Sequence, residues 1–381
     1  MKKITTLIQL LQSFITEEDI TRLAKQYGYE DTARKLSLMD LLKFWVISAA
    51  EKWSSFRDSE TKLPNYTELP NVDHSTLAKK AKAVPYEIIR DVFQLLIERA
   101  NRSFRRKFFN DYKLYAMDST MITFKHPQLS WARYSSHRHA IRLHVKFDVD
   151  EHQPTQVIQT TGRDQDIMVA PKLLSEIPVL AIHTADRGYA STAFFEQLHQ
   201  QGHYFVIRVA DFFTVTRPKS LKRWASKETN IMRDETALLG KETRMTKTRF
   251  RLVTFLDDNG HEIRVATNVM NLSAEKIAEI YKLRWQIELF FRWIKSNLQI
   301  DHVYGRSQNA VYSQVFGTLI AYVLMRWLYN ETKSLWWPLY RFTFIEFSRR
   351  LSQNTLPKEV RAEIHWYLLH RGSLNFFNGK I

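Results

Sequence analysis

The residues best suited to chemistry lie between positions 281 and 295, where Tyr281, Arg284, Trp285, Glu288, Arg292 and Lys295 recur at helical spacing. At about 100° per residue these six side chains share an arc of about 100°, while Leu283, Ile287, Phe290, Phe291 and Ile294 take the opposite side. A helix buried on its apolar side therefore presents one carboxylate among three fixed cations and two aromatic rings. A solvated face more usually mixes several acids with its bases. A lone acid among cations suits a site for phosphate and metal together, the acid binding the ion and the bases binding the substrate's oxygens. Ordinary Glu–Arg pairing along the helix gives the same pattern, and this segment alone leaves both readings open.

Two further carboxylates stand where strands are expected to end. Asp118 follows the apolar run from Leu114 to Met117 and precedes Ser119 and Thr120; Asp186 follows Val179 to Ala185 and precedes Arg187, Gly188 and Tyr189. A sheet holds such an acid rigidly while the following loop leaves it exposed. The same position also suits an acid that merely caps a turn or helix.

The spacing of Tyr281, Arg284, Glu288 and Lys295 resembles, without a gap, the Y-R-E-K signature of DDE transposases from bacterial insertion sequences, the family-four group. Asp118 within Met-Asp-Ser-Thr resembles the first acid of that family, and Asp186 within Ala-Asp-Arg-Gly-Tyr the second. The match runs roughly from Tyr112 to Asn330. It implies an α/β fold with a ribonuclease-H-like mixed sheet, in which Asp118, Asp186 and Glu288 hold two Mg2+ or Mn2+ ions. Independently of the name, cutting a phosphodiester needs one ion to deprotonate and aim the attacking oxygen and another to neutralise the leaving one, and hard oxygen ligands serve both. The resemblance also implies double-stranded DNA as partner, both terminal inverted repeats and target, with a homodimer joining two ends. It implies nicking, a hairpin intermediate and strand transfer. Arg284 and Lys295 are expected to clamp phosphates with Arg292 beside them, Tyr281 to add a hydroxyl contact, and Trp285 to stack on a distorted or flipped base. Trp224 is a second candidate for that stacking, against a plain role in strand packing. A non-catalytic DNA-binding protein and a structure-specific nuclease on the same core are the alternatives.

Positioning these side chains requires a rigid scaffold. Residues 1–109 show helical spacing, with start signals at Thr16 to Asp19 and Ser37 to Asp40. Asp73 to Lys80 reads as a capped basic helix, either the reading helix of a helix-turn-helix or a surface helix of a bundle. From Lys113 the pattern becomes short strands, then α/β alternation. The expected organisation is a helical DNA-binding domain at 1–109, a catalytic domain at 110–209 and 263–332, a β-rich insertion at 210–262, and helices at 333–381 whose Trp336, Trp337 and Phe342 to Phe347 suggest a dimer surface. One long helix is expected from Ser273 to Asn297.

Composition agrees with a polyanionic partner. The 381 residues carry 56 Lys and Arg against 40 Asp and Glu, a net charge of +16, although an anionic membrane surface or an acidic protein would also attract it. Basic clusters spread along the chain and interleaved with aromatics suit a long phosphate track. The absence of cysteine excludes thiolate metal sites, and His137, His139 and His144 make a weak zinc set. Asp148 is a possible supporting acid, while Asp164 and Asp166 read as caps of the following helix. No phosphate-binding glycine loop is present. The basic, apolar N-terminus reads as an amphipathic helix, and the apolar runs as too short to span a bilayer. These features lead to the expectation of a soluble, cytoplasmic protein without membrane contact.

Overall fold

The structure is a computed structural model that describes residues 6–101, 112–124, 129–135, 138–174, 181–221, 229–298 and 303–377. Trp224, His137 and the basic cluster at 102–107 lie outside the described residues. In chain order the helices are α1 (Thr6–Phe14), α2 (Glu17–Gln26), α3 (Leu38–Ala50), α4 (Phe56–Lys62), α5 (His74–Ala83), α6 (Tyr86–Asn101), α7 (Asp166–Leu173), α8 (Thr192–Gln200), α9 (Ala274–Leu283), α10 (Trp285–Leu298), α11 (Gln308–Trp336), α12 (Phe344–Ser352) and α13 (Lys358–Phe377). The strands are β1 (Lys113–Phe124), β2 (Arg133–Ser135), β3 (Arg138–Asp148), β4 (Gln153–Thr161), β5 (Ala181–Ala185), β6 (Tyr204–Arg208), β7 (Val215–Ser220), β8 (Ile231–Leu239), β9 (Phe250–Leu256) and β10 (Glu262–Thr267). Two compact units result. One joins Met1–Ser103, Thr123–Trp131 and Arg292–Ile381; the other joins Phe104–Ile122 and Ala132–Phe291.

The helical unit draws on both ends of the chain. Thr16 with Asp19 and Ser37 with Asp40 form the capping boxes their spacing predicts, satisfying the first free N–H groups of α2 and α3. Helix α11 packs against α1, α3, α5, α6, α12 and α13. It comes so close to α3 that a Cβ on Gly317 would lie 2.5 Å from the Trp45 Cβ. Helix α11 is long and apolar enough to cross a membrane, yet 94% of its apolar window is buried within the protein. Of the residues expected to form a dimer surface, Trp336 stacks on Phe347, with centroids 5.6 Å apart, and Phe342 and Phe344 are also buried, while Trp337 is half-buried and Ile345 exposed. Sequence reports that such residues need covering, not by which chain. In α5, Asp73 caps as expected, and Lys80 is buried against Asp31, while Lys79 and Lys82 stay exposed.

The second unit is one mixed sheet in the order β2-β3-β1-β5-β6-β10-β9-β8-β7, with β4 also paired to β3. Strands β1, β5 and β6 run parallel; β10, β9, β8 and β7 continue antiparallel from β6. The insertion is β-rich, and its strands extend the same sheet. One sheet face is covered by α7 and α8, where Met117, Ala185, Phe205 and Ile207 meet Leu173, Phe194, Phe195 and Leu198. Helix α9 packs on β5, β6, β8 and β9, with Tyr281 edge-on to Phe255. The lead-in to α9 is tied down by the fully buried Arg251 on β9. Its guanidinium binds both oxygens of Asp234 on β8, at 2.7 and 2.8 Å, and donates to the carbonyls of Val269 and Leu272.

Three expectations need correction. β1 does not end at Met117 but runs on to Phe124, because the β-branched and apolar residues after Asp118 continue the strand. The helix from Ser273 is not continuous: α9 closes at Leu283 and α10 opens at Trp285. At the junction the Arg284 N–H bonds the Tyr281 carbonyl three residues back, and the Ile287 N–H bonds Arg284 in the same way, so the turn tightens locally. Asp164 and Asp166 do not cap α7. Its N-cap is Gln165, without a side-chain bond, and Asp164 accepts from Thr161 instead.

Candidate functional site around Asp118, Asp186 and Glu288

The β1–β5 register pairs Met117 with Ala185 as its last rung. Asp118 and Asp186 each follow by one residue, which puts them at matching positions on neighbouring parallel strands, where backbones lie ~4.8 Å apart. Met117 turns toward α7 and α8, so Asp118, the next residue, turns to the opposite face. There it meets Arg284 at the α9–α10 junction. The Arg284 guanidinium donates to Asp118 at 3.2 Å and to Glu288, one turn along α10, at 2.8 Å.

Asp118 and Asp186 are each held by the backbone that follows them. The Ser119 N–H donates to Asp118 Oδ1 at 2.8 Å, and the Gly188 N–H donates to Asp186 Oδ1 at 2.8 Å in the short turn after β5. Burial pushes the Asp118 carboxyl up to about 7; Arg284 opposes this, while the charges of Asp186 and Glu288 add to it. Burial also raises the Tyr189 hydroxyl, as do Asp166, Asp118 and Asp186. That hydroxyl is buried without a hydrogen-bond partner. Of the three acids named from the sequence, Asp186 and Glu288 therefore both act electrostatically on Asp118.

Around them the residues divide. Trp285 is 49% exposed, and Glu288 is part-exposed. Tyr281 is buried, with the Arg284 guanidinium 5.6 Å over its ring. Burial favours loss of the Arg284 charge, but Tyr281, Asp118 and Glu288 more than offset it, holding the guanidinium above its ordinary range. Arg292 and Lys295 are exposed on α10 and belong to the helical unit. Asp148, considered as a supporting acid, ends β3 in a 2.7 Å pair with Lys113 at the start of β1. That is five residues, ~17 Å, back along β1 from Asp118.

Sequence reasoning missed Asp166. Its carboxylate accepts from Arg142 at 3.0 Å and lies 3.3 Å from the buried His144 Nδ1, and it also bonds the Ser119 side chain. An acid ahead of an apolar helical run carries the pattern of a cap. No local signal tied it to Ser119 or to β3.

Among the described residues, no group of three His, Asp or Glu side chains is placed to hold a metal ion as it stands. Arg284 already takes an oxygen of Asp118 and one of Glu288. The donor set nevertheless fits a hard divalent cation. It offers carboxylate oxygens alone, and Asp118 is pushed toward neutrality by burial and then by the charges of Asp186 and Glu288, a repulsion that a bound cation relieves.

The sheet order, with two acids at matching positions on its central parallel strands, defines a ribonuclease-H-like fold. A family model for the transposase DDE domain matches residues 109–324. The chain is 39% identical to the "Probable transposase for insertion sequence element IS5377" of Geobacillus stearothermophilus, over 95% of this chain and 94% of that protein. It is 22% identical to the transposase for insertion sequence element IS231F of Bacillus thuringiensis subsp. israelensis, over 83% and 78%. Its fold resembles the piggyBac transposase in a cryo-EM synaptic complex with hairpin DNA, with a TM-score of 0.51 and 12% identity, covering 98% of this chain and 85% of that one. The chain belongs to the DDE transposase family, whose chemistry in general uses divalent metal.

Proposed function

We propose that this protein mobilises an insertion sequence by cutting and rejoining DNA at its terminal inverted repeats, with Asp118, Asp186 and Glu288 holding two Mg2+ or Mn2+ ions. The observation that supports this most is the meeting of Asp118, from β1, with Arg284 and Glu288 at the α9–α10 junction, beside Asp186 on the next strand. When bound, the ions supply activation of the attacking oxygen and neutralisation of the leaving one.

The chain's own residues do the remaining work. Arg284 neutralises Asp118 and Glu288 in the resting site and turns to grip a substrate phosphate when those acids are otherwise compensated. Tyr281, buried beneath it, supports the guanidinium. Arg292 and Lys295 bind phosphates further along the strand. The exposed Trp285 stacks on a base unstacked at the transposon end. Water first nicks the end; the freed 3′-OH attacks the opposite strand to close a hairpin; the hairpin is reopened, and the 3′-OH joins target DNA. Two copies act together, one at each end.

A duplex carrying the element's own ends is expected to yield nicks and hairpins in Mg2+ or Mn2+ and none in EDTA. Asp118→Ala, Asp186→Ala and Glu288→Ala should bind that duplex and leave it intact. Cleavage by any of them at the wild-type rate sinks the assignment. Metal-independent binding without cleavage by the wild type would favour a non-catalytic DNA-binding protein.

A further inference from the structure

Asp166 sits on the sheet face opposite Asp118 and yet touches the supports of both strand-borne acids. Its first support comes from β3, where Arg142 donates to it at 3.0 Å and the fully buried His144 lies 3.3 Å away. The other nitrogen of His144 is engaged by Thr160 at 2.9 Å, which fixes the ring. Thus anchored, the carboxylate bonds the Ser119 hydroxyl, and the Ser119 N–H holds Asp118 Oδ1. A Cβ built on Gly188 would lie 3.5 Å from Asp166 Oδ2 and 3.1 Å from Asp186 Oδ1, so Asp166 also closes the back of the turn that aims Asp186. Burial alone would raise the Asp166 carboxyl, but the nearby His144, Ser119 and Arg142 side chains outweigh it and bring it down to about 2.

We propose that Asp166 is a positioning residue, which orients the Asp118 carboxylate through Ser119 and braces the Asp186 turn across Gly188, so that a divalent cation meets both acids already aimed. This rests on the reading that Asp118 and Asp186 are metal ligands. Carboxylates that bind metal are commonly oriented by a further hydrogen-bonded shell, and loss of such a partner costs about 10–100-fold in metal affinity.

The test is Mn2+ binding by the full-length protein without DNA, read by electron paramagnetic resonance, for wild type, Asp118→Asn, Asp166→Asn and Ser119→Ala. Asp166→Asn is expected to weaken binding by ~10–100-fold. Ser119→Ala leaves the pairs with Arg142 and His144 intact and cuts only the link to β1; it should weaken binding by about tenfold at an unchanged melting temperature. That combination separates positioning from general support of the fold, and it stands if Asp166→Asn cannot be folded. Wild-type Mn2+ affinity in Ser119→Ala overturns the proposal. If the wild type itself shows no Mn2+ binding that Asp118→Asn removes, the ligand assignment fails, and this inference with it.

Discussion

Arg284 and Asp118 are 166 residues apart in sequence and 3.2 Å apart in space, and the same guanidinium reaches Glu288 at 2.8 Å. A cation of the chain thus occupies carboxylate oxygens that the proposed function assigns to metal. Arg284→Ala should therefore separate two properties that usually fall together. Mn2+ affinity is expected to be unchanged or higher, because a competitor has gone, while the cleavage rate drops by roughly 100-fold for want of a phosphate clamp. Parallel loss of both would show that Arg284 builds the metal site.

The raised Asp118 carboxyl gives a pH signature. Its ordinary value of 3.8 rises to about 7 in the folded, metal-free protein. Between those values the folded state keeps a proton that the unfolded chain has released, so this group's contribution to stability is lost as pH rises from about 4 to about 7. Asp150, also raised to about 7 by burial and then by Asp148, works in the same sense. His183 works in the opposite one, because burial lowers it to about 3. The clean observable is a difference: in EDTA, the stability advantage of Asp118→Asn over wild type should widen from pH 4 to pH 7, measured by urea denaturation. A flat difference would remove the electrostatic coupling described here.

At Gly188 the structure leaves little space, since an added methyl would lie 3.1 Å from Asp186 Oδ1. Gly188→Ala should displace that carboxylate by a few tenths of an ångström and slow nicking by ~10-fold, given that misplacement by 1 Å can cost ~100-fold. The melting temperature should barely move. Wild-type turnover would mean that the Asp186 turn tolerates adjustment.

Buried Arg251 predicts a loss of another kind. Arg251→Met removes the partner of Asp234 and the guanidinium's bonds to two carbonyls at the entry to α9, and breaking such a pair costs about 3–5 kcal/mol. Urea denaturation should show this without DNA or metal. A change below ~1 kcal/mol would place the pair among those worth little.

Helix packing offers a test away from the acids. Gly317→Ala would bring a Cβ to 2.5 Å from the Trp45 Cβ, and overpacking of this kind costs about 1–3 kcal/mol. Thermal denaturation of the full chain should register it.

Much of the site was visible beforehand because each acid carried a local mark: Asp186 between a strand and a Gly-aromatic turn, and Glu288 as the lone acid on a cationic face. What escaped depends on distant contacts. Arg284 and Trp285 both tolerate helix, so nothing in their types announces the tightened turn between α9 and α10. Asp118, Ser119 and Thr120 carry turn-like chemistry, yet they continue the strand beyond its last rung with β5. Strand β8 was hidden by Arg233, Asp234 and Glu235; Asp234 is accommodated in the sheet by pairing diagonally with Arg251, two residues along β9 from its register partner Val253. Asp166 resembled a cap until β3 supplied its partners.

The third acid follows the longest route of all. Asp118 and Asp186 come together as soon as two adjacent parallel strands pair, but the chain then builds β6 to β10 before reaching α10 and Glu288. A polypeptide truncated at β10, or one still emerging from the ribosome, lacks the third of the carboxylates to which the proposed function assigns metal. The order of the elements thus sets a sequence in time: on the proposed assignment, the third carboxylate joins the other two only after every strand of the sheet has been made.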